Sequence, residues 1–248
     1  MSVRPRDLAL IVITTLFSAT CISLGFWQLR RLAERRAVNA TVVHRLAEPP
    51  VTVTTLPRDS AALHYRRVIV DGVYDYAHEV RIIARTRNGS PGVNIVTPVR
   101  MAGNDTALLV NRGWVYSPDA STVDLARWRE SDSARGIGYA RPLERRPLPG
   151  SPALADRPGA YRWLDTVALR ASIPYQVYPF SVVLEGDTAP RGPIPPRVPP
   201  PPLDEGPHMS YAIQWFSFAA IAIIGTFFFL RVVPAKRRAT LEPFERDA

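Results

Sequence analysis

The sequence predicts a membrane protein: two transmembrane helices flanking an extracytoplasmic α+β domain, mainly an antiparallel sheet or partial β-barrel. Three observations predict it. Two uncharged apolar runs, residues 8–27 and 209–230, stand near the ends of the chain. Between them lie short β-branched or alternating segments parted by turn residues. A proline-dense stretch then leads into the second run.

Each apolar run has the length that a helix needs to cross the hydrocarbon layer. Trp27 and Trp215 sit near one end of each, where interfacial aromatics sit. No A-x-A site closely follows the first run, so it reads as a retained span and not as a cleaved signal peptide. Before the second run come Asp204, Glu205 and His208, with no Lys or Arg after Arg197; after it come Arg231, Lys236, Arg237 and Arg238. The positive side faces the cytoplasm. Both termini are therefore expected inside and the intervening chain outside. The boundaries are a cytoplasmic N-terminus (1–7), a first span (8–29), an extracytoplasmic domain (30–187), a proline-rich strut (188–207), a second span (208–231) and a cytoplasmic tail (232–248). The first span breaks the charge rule locally, since the sequence after it, QLRRLAERR, places four arginines outside. Long loops cross regardless of charge, so this is permitted, but it suggests a use.

Within the domain, 65–74, 79–86, 93–100 and 107–115 read as strands, with turn material between them. Asp71-Gly72 is expected to be a bulge within one strand. Residues 121–130 and 163–173 have helical spacing, 137–144 is a further extended stretch, and 175–185 is another strand. The stretch 188–207 holds nine prolines, which fits an extended, semi-rigid strut.

Composition narrows the function. The net charge is +9, and 30 of the 31 basic residues are arginine, Lys236 being the exception. That balance is compatible with nucleic acid or anionic phospholipid. No nucleic-acid module is present, and the two spans favour lipid. The single cysteine, Cys21, excludes an intrachain disulfide and any CxxC pair. The four histidines show no HxxH or HExxH spacing, and there is no GxSxG, Walker or GxGxxG sequence. Nothing supports an enzyme or a metal centre.

The polar residues that stand out lie at the membrane boundary. His208, at the outer end of the second span, reads either as a solvated interfacial residue or as an imidazole able to ligate heme iron. Arg30 and Arg31 follow Trp27 and Gln28. They read either as snorkelling to headgroups or as an anchor for carboxylates, on heme propionates or on a partner. Trp27, Gln28, Tyr211 and Trp215 form a candidate membrane or partner interface. In the domain, Asn111, Arg112, Gly113 and Trp114 read as fold-determining, as do Gly72 and Tyr74. Gly113 would supply an unusual backbone angle and Arg112 would order a turn through its five donors.

Five motifs in register resemble the Surfeit locus protein 1 family. LGFWQLRR (24–31) is like L-G-x-W-Q-x-x-R, and YRRVIVDGVYD (65–75) is like Y-R-x-V-x-x-x-G-x-Y-D. RNGSPGVNIVTPVR (87–100) is like G-x-x-G-x-x-x-x-T-P, and LLVNRGWV (108–115) is like V-N-R-G-W-V-P, with Tyr116 where proline is usual. HMSYAIQWFSFA (208–219) is like H-x-x-Y-A-x-x-W-F, while roughly 117–160 match little. The proline strut is similar to that of actinobacterial members. The resemblance implies a plasma-membrane, non-catalytic factor for biogenesis of heme–copper cytochrome c oxidase in aerobic respiration, supporting heme a insertion or stabilising the oxidase. It implies oxidase subunits as partners and transient heme a binding, with His208 at the position of the implicated ligand. The alternative is a stoichiometric accessory subunit of an actinobacterial bc–oxidase respiratory supercomplex.

Overall fold

The computed structural model describes residues 5–56, 59–143, 158–189 and 191–232. Arg4, residues 144–157, and the expected cytoplasmic tail with Lys236, Arg237 and Arg238 lie outside them. The chain divides into two compact units, 1–41 with 203–248, and 42–202.

The first unit is a pair of helices. Helix α1 runs Pro5–Ala47, 43 residues and so about 65 Å long at 1.5 Å per residue. It does not end with the apolar run. Residues 28–47 are rich in Arg, Ala and Leu and hold neither Gly nor Pro, so nothing stops propagation before Pro49-Pro50. The second long helix runs His208–Val232 and is called α3 here, after the short α2 introduced below. Both are long and apolar enough to cross a membrane.

The pair is antiparallel. Thr14 Oγ1 lies 2.9 Å from Thr226 Oγ1. Phe26 meets Phe216 edge-on at 5.4 Å. A Cβ on Gly25 would stand 2.6 Å from the Phe216 ring, so glycine permits this approach. The buried positions of α1 in this unit include Ser18, Cys21, Gly25, Gln28 and Leu32, spaced three and four apart. Ala212 and Ala219 are their buried counterparts on α3. A seam of small residues at this spacing is what close helix packing requires in lipid. Cys21 is a member of that seam, 1% exposed.

The second unit is built on a seven-stranded sheet. After the one-turn helix α2 (Ser60–Leu63) come β1 (Arg67–Tyr74), β2 (Val80–Arg87), β3 (Ser90–Arg100), β4 (Ala107–Tyr116), β5 (Ser133–Pro142), β6 (Ala160–Tyr161) and β7 (Val177–Leu184). The spatial order is β1-β5-β7-β4-β3-β2-β6, and β1 also pairs with β3 through Val73 and Tyr74. That last pairing closes β1, β5, β7, β4 and β3 into a barrel-like ring, with β2 and β6 as an extension. The sheet is mainly antiparallel, as expected, with β4–β7 and β2–β6 as its parallel pairs.

Strand β4 explains how one sheet serves several cores. Leu108 and Val110 join a cluster with Val68, Val70, Val99 and Val182. Leu109, pointing the other way, joins Val80, Val96, Tyr161 and Leu169. A strand buried on both faces reads as a continuous apolar run, as LLV does.

The expected bulge at Asp71-Gly72 is absent. β1 pairs with β5 without a register shift from Arg67↔Tyr139 to Val73↔Ser133. Gly72 is required for another reason: a Cβ there would lie 2.5 Å from the Arg100 carbonyl, where β3 closes the ring. The register shifts fall instead between Ile82 and Arg85 in β2, where Ala84 has a φ of +54°, and opposite Ile95/Val96, where Arg112 is the extra residue of β4.

The two helical expectations shrink to 3₁₀ turns, Ala126–Trp128 and Ala168–Ala171. Tertiary bonds claim the residues that would have extended them. The Glu130 N–H donates to the Tyr76 hydroxyl at 3.1 Å, and its carboxylate is held by arginines. The second turn is nucleated by Asp165, which accepts from the Val167 and Ala168 N–H groups, and Pro174 stops it.

A polar tie joins the end of β1 to the segment before β7. Asp75 accepts from the Tyr175 hydroxyl at 2.7 Å, from His78 Nδ1 at 2.8 Å and from the Ala77 N–H at 3.1 Å. Burial pushes its carboxyl up, but these donors prevail and hold it below the usual carboxylate range. A depressed folded-state pKa gives stability present above the unfolded value, about 4, and lost as pH falls below it. We predict that the urea midpoint of the protein falls between pH 6 and pH 3.5, and falls less in Asp75→Asn, which starts lower by roughly 1.5–3 kcal/mol. Equal pH slopes in the two proteins would assign the acid sensitivity elsewhere.

Candidate functional site

The candidate site lies where the first and last motifs meet, at one end of the helix pair. Gln28, the residue that follows the apolar run of α1, is 9% exposed. Its Oε1 lies 2.8 Å from His208 Nδ1, at the first residue of α3. A carbonyl oxygen can only accept, so Nδ1 carries the proton. In the neutral ring this leaves the lone pair on Nε2. Gly206, in the left-handed region at a φ of +68°, flanks that nitrogen: a Cβ there would lie 3.5 Å from Nε2. Glycine thus serves the turn and leaves the reactive edge of the ring clear.

The lead-in to α3 is fastened to the arginine run. Arg36 makes a two-bond fork to Glu205, Nε to Oε1 at 2.7 Å and Nη2 to Oε2 at 2.8 Å. Asn39 Nδ2 and Arg35 Nε both donate to the Asp204 carbonyl, at 3.0 and 3.2 Å. The Arg36 hydrogen bond holds the Glu205 carboxyl below its usual range. Both groups are exposed, so the fork sets geometry more than it adds stability.

Of the residues expected here, the structure brings Gln28 and His208 together and leaves the others on the outside of the pair. Arg31 pairs with Glu34 at 2.8 Å on the exposed face of α1. Arg30 is exposed and has no hydrogen bond or ion pair among the described residues. Trp27 and Tyr211 are exposed, and Trp215 packs edge-on against Phe218 at 5.9 Å. Sequence reasoning missed Arg36, Asn39 and Glu205. The signal was present, because acids precede the second span where arginines follow the first.

Between the helices, further along, Thr14, Thr15, Ser18, Ile22, Ile223 and Phe227 line part of a groove of about 410 Å³. Ser18 Oγ is buried there without a hydrogen-bond partner among the described residues.

In the second unit the Asn111-Arg112-Gly113-Trp114 stretch forms the β4 bulge. Arg112 is fully buried and does more than order a turn. Nε donates to Thr97 Oγ1 at 2.8 Å, Nη2 to Glu79 Oε1 at 2.5 Å, and Nη1 to Glu130 Oε1 at 3.2 Å and to the Trp128 carbonyl. The Tyr74 and Tyr76 rings stack on it at 5.5 and 5.1 Å. Burial, then the Glu130 charge, pushes the Tyr74 hydroxyl up to about 12. Glu130 also takes a fork from Arg197, at 2.8 and 3.0 Å. The proline-rich stretch is therefore fastened to the domain as far as Arg197 instead of leaving it directly. The Trp114 N–H donates to the Pro196 carbonyl at 2.9 Å.

Comparison with known proteins decides the family. A profile of the SURF1 family matches residues 15–220. The chain belongs to the SURF1 family. An uncharacterised SURF1-like protein of Mycobacterium tuberculosis is 29% identical over 255 residues, covering 95% of this chain and 88% of its own. A SURF1-like protein of Monosiga brevicollis is 26% identical over 210 residues, 81% of this chain and 79% of its own. Surfeit locus protein 1 of Xenopus tropicalis is 25% identical over 231 residues, 87% and 74% respectively. The match spans the motifs that hold Gln28 and His208.

Proposed function

We propose that this SURF1-family chain is a non-catalytic plasma-membrane factor for the biogenesis of a heme–copper cytochrome c oxidase, acting around heme a insertion. Both termini are assigned to the cytoplasm and the sheet domain to the outside, on the charge pattern around the second span. The observation that carries the reading is the Gln28–His208 hydrogen bond. It ties the two motifs nearest the expected membrane surface into one site.

The residues fit a heme iron ligand. A histidine ligand needs one free ring nitrogen and a fixed orientation, usually set by a bond to the other nitrogen. Gln28 supplies that bond, and Gly206 keeps the Nε2 edge clear. Heme a, if bound, would supply an iron that takes up a nitrogen ligand, and His208 would hold it. Arg30 is the cation at this end with no partner among the described residues, and it suits a propionate or a lipid phosphate. Arg36 is committed to Glu205 and holds the lead-in of α3 in place.

A second reading, a permanent accessory subunit of a bc–oxidase supercomplex, draws on the groove at Ser18. Its buried hydroxyl, without a partner among the described residues, is what a partner helix would satisfy in lipid.

Deleting the gene is expected to lower heme a content and oxidase activity while apo-subunits persist. In protein purified from a heme a-producing host, His208→Ala is expected to abolish the bound-heme spectrum. Gln28→Leu is expected to retain it with a ligand affinity lower by roughly 10–100-fold. Normal heme a in the deletion strain would end the biogenesis reading. An unchanged spectrum in His208→Ala would move the ligand elsewhere. Stoichiometric co-purification with the oxidase would favour the accessory subunit.

A further inference from the structure

The groove of about 410 Å³ between α1 and α3 is mostly apolar, with Ile11, Ile22, Ile223 and Phe227 among its walls. One group in its lining needs an explanation. Ser18 is 4% exposed, and its Oγ has no hydrogen-bond partner among the described residues. Nearby hydroxyls are met. Thr20 Oγ1 donates to the Leu16 carbonyl, one turn back, at 2.9 Å. Thr14 Oγ1 shares a hydrogen bond with Thr226 Oγ1 of α3, also at 2.9 Å. Ser18 lines the groove and does neither. Buried polar groups without partners cost stability, and native proteins satisfy them with a neighbour, a water or a ligand.

Depth decides what that partner can be. Ser18 stands ten residues after Leu8 and nine before Trp27, the two ends of the uncharged run. At 1.5 Å per residue that is roughly 14–15 Å from either end, the middle of a hydrocarbon layer about 30 Å thick. This step rests on the reading of both helices as membrane spans. No bulk water serves a hydroxyl at that depth. Phospholipid chains reach it but offer no acceptor, because their ester carbonyls stay at the headgroup boundary. A charged acceptor is too costly there. What remains is a neutral, membrane-soluble molecule with a carbonyl on an otherwise apolar body.

Shape narrows the choice further. The groove's 410 Å³ falls in the range of small-molecule sites, roughly 300–1,000 Å³. A helix with its side chains is about 10–12 Å across, so it would lie along the groove and not enter it. Phe227, exposed on the wall, gives a flat ring a face to lie against.

We infer that this groove is a binding site for a lipid-soluble quinone. Ser18 donates to one ring carbonyl, and the apolar walls take the ring and the start of its isoprenoid tail. The site is separate from the Gln28–His208 site and does not depend on heme binding. A partner helix, the occupant in the second reading above, would meet the same hydroxyl, and the test separates the two.

The test places the full-length protein in nanodiscs of a neutral phospholipid, with an azido-substituted decylubiquinone as photoprobe. Saturable labelling is expected, mapping by peptide mass spectrometry to residues 11–22 or 223–230. A short-tailed menaquinone is expected to compete, and hexadecane is not. Ser18→Ala is expected to weaken labelling roughly fivefold, the worth of one neutral hydrogen bond. Ala19→Phe, which puts a ring into the groove, is expected to abolish it, and circular dichroism reports that the helices survive. Labelling spread evenly along both helices, equal competition by hexadecane, or an affinity unchanged in Ser18→Ala would each overturn the inference. Release of a co-purifying membrane protein by Ser18→Ala, with labelling unchanged, would give the groove to a partner helix instead. Loss of the protein from carbonate-washed membranes would end the membrane reading and this inference with it, whereas a retained protein that fails to label ends the inference alone.

Discussion

Arg112→Leu is expected to destabilise the sheet domain by roughly 3–5 kcal/mol, a large part of the roughly 5–15 kcal/mol that holds a domain of this kind together. The reason is what it leaves behind. The Glu79 side chain is 2% exposed and the Glu130 side chain 14%. Each keeps a neighbour without Arg112, since Thr97 donates to Glu79 and Arg197 to Glu130. Glu79, however, loses its only cation among the described residues. A buried carboxylate without a cation is the costly outcome, because the desolvation penalty stays and the attraction is gone. The Trp128 carbonyl and the faces of Tyr74 and Tyr76 lose their partner in the same step. Arg112→Lys is expected to recover less than half, because one ammonium cannot reach Thr97, Glu79 and Glu130 from a planar fork. Adding Glu79→Gln to Arg112→Leu should restore about 1–3 kcal/mol, the coupling typical of contacting residues. Urea midpoints for the four proteins check this. Additive single and double variants would mean that the charge network is not the cause.

How much of this was legible in the sequence depends on distance along the chain. The two long helices were readable because their signal is local, in uncharged runs of the right length. The end of α1 was less so: apolarity marks a membrane and not a helix end, and only Pro49-Pro50 marks the latter. Five of the strands, β1 to β4 and β7, were readable from β-branched or alternating runs. Their order was not, because the closing contact of β1 with β3 and the parallel β4–β7 pair depend on residues far apart in sequence. Gly72 shows the limit well. Asp-Gly suggests a local irregularity, but the glycine answers to the Arg100 carbonyl of another strand. Arg112 shows it again. Its five donors suggested that it orders a turn, whereas it is buried against carboxylates from two other segments. For the candidate site, His208 and Gln28 were readable as polar residues at two span ends. Their mutual bond was not, and neither was the commitment of Arg36 rather than Arg30 to the second helix's lead-in.

Gly113→Ala is the second change expected to act strongly, at roughly 2–4 kcal/mol, although it adds one methyl group. Gly113 has a φ of +154°, which side-chain-bearing residues rarely adopt. An added Cβ would stand 2.4 Å from the Pro196 carbonyl oxygen and 2.9 Å from Pro195 Cβ. The first of these atoms is backbone, at the end of the Pro195-Pro196 pair, and cannot swing aside as a side-chain tip would. The collision therefore has to be relieved by lifting the proline-rich segment. That lift breaks the 2.9 Å bond from the Trp114 N–H to Pro196 and pulls Arg197 off Glu130. The expected signature is specific to this place. Trypsin should cut after Arg191 and Arg197 faster in the variant than in the parent protein, in proportion to the lifting. Gly136→Ala provides the comparison: its added Cβ would meet Leu184 Cδ2 at an ordinary 3.5 Å, so its stability should stay within about 0.5 kcal/mol. If Gly113→Ala were as stable as Gly136→Ala, or lost stability without faster cleavage after Arg191 and Arg197, the segment would not be held by the bulge. If both signatures appear, the VNRG stretch does three things with four residues. Arg112 neutralises the buried acids, Asn111 accepts from the Gly113 N–H, and Gly113 makes room for the chain that leads on to the second helix.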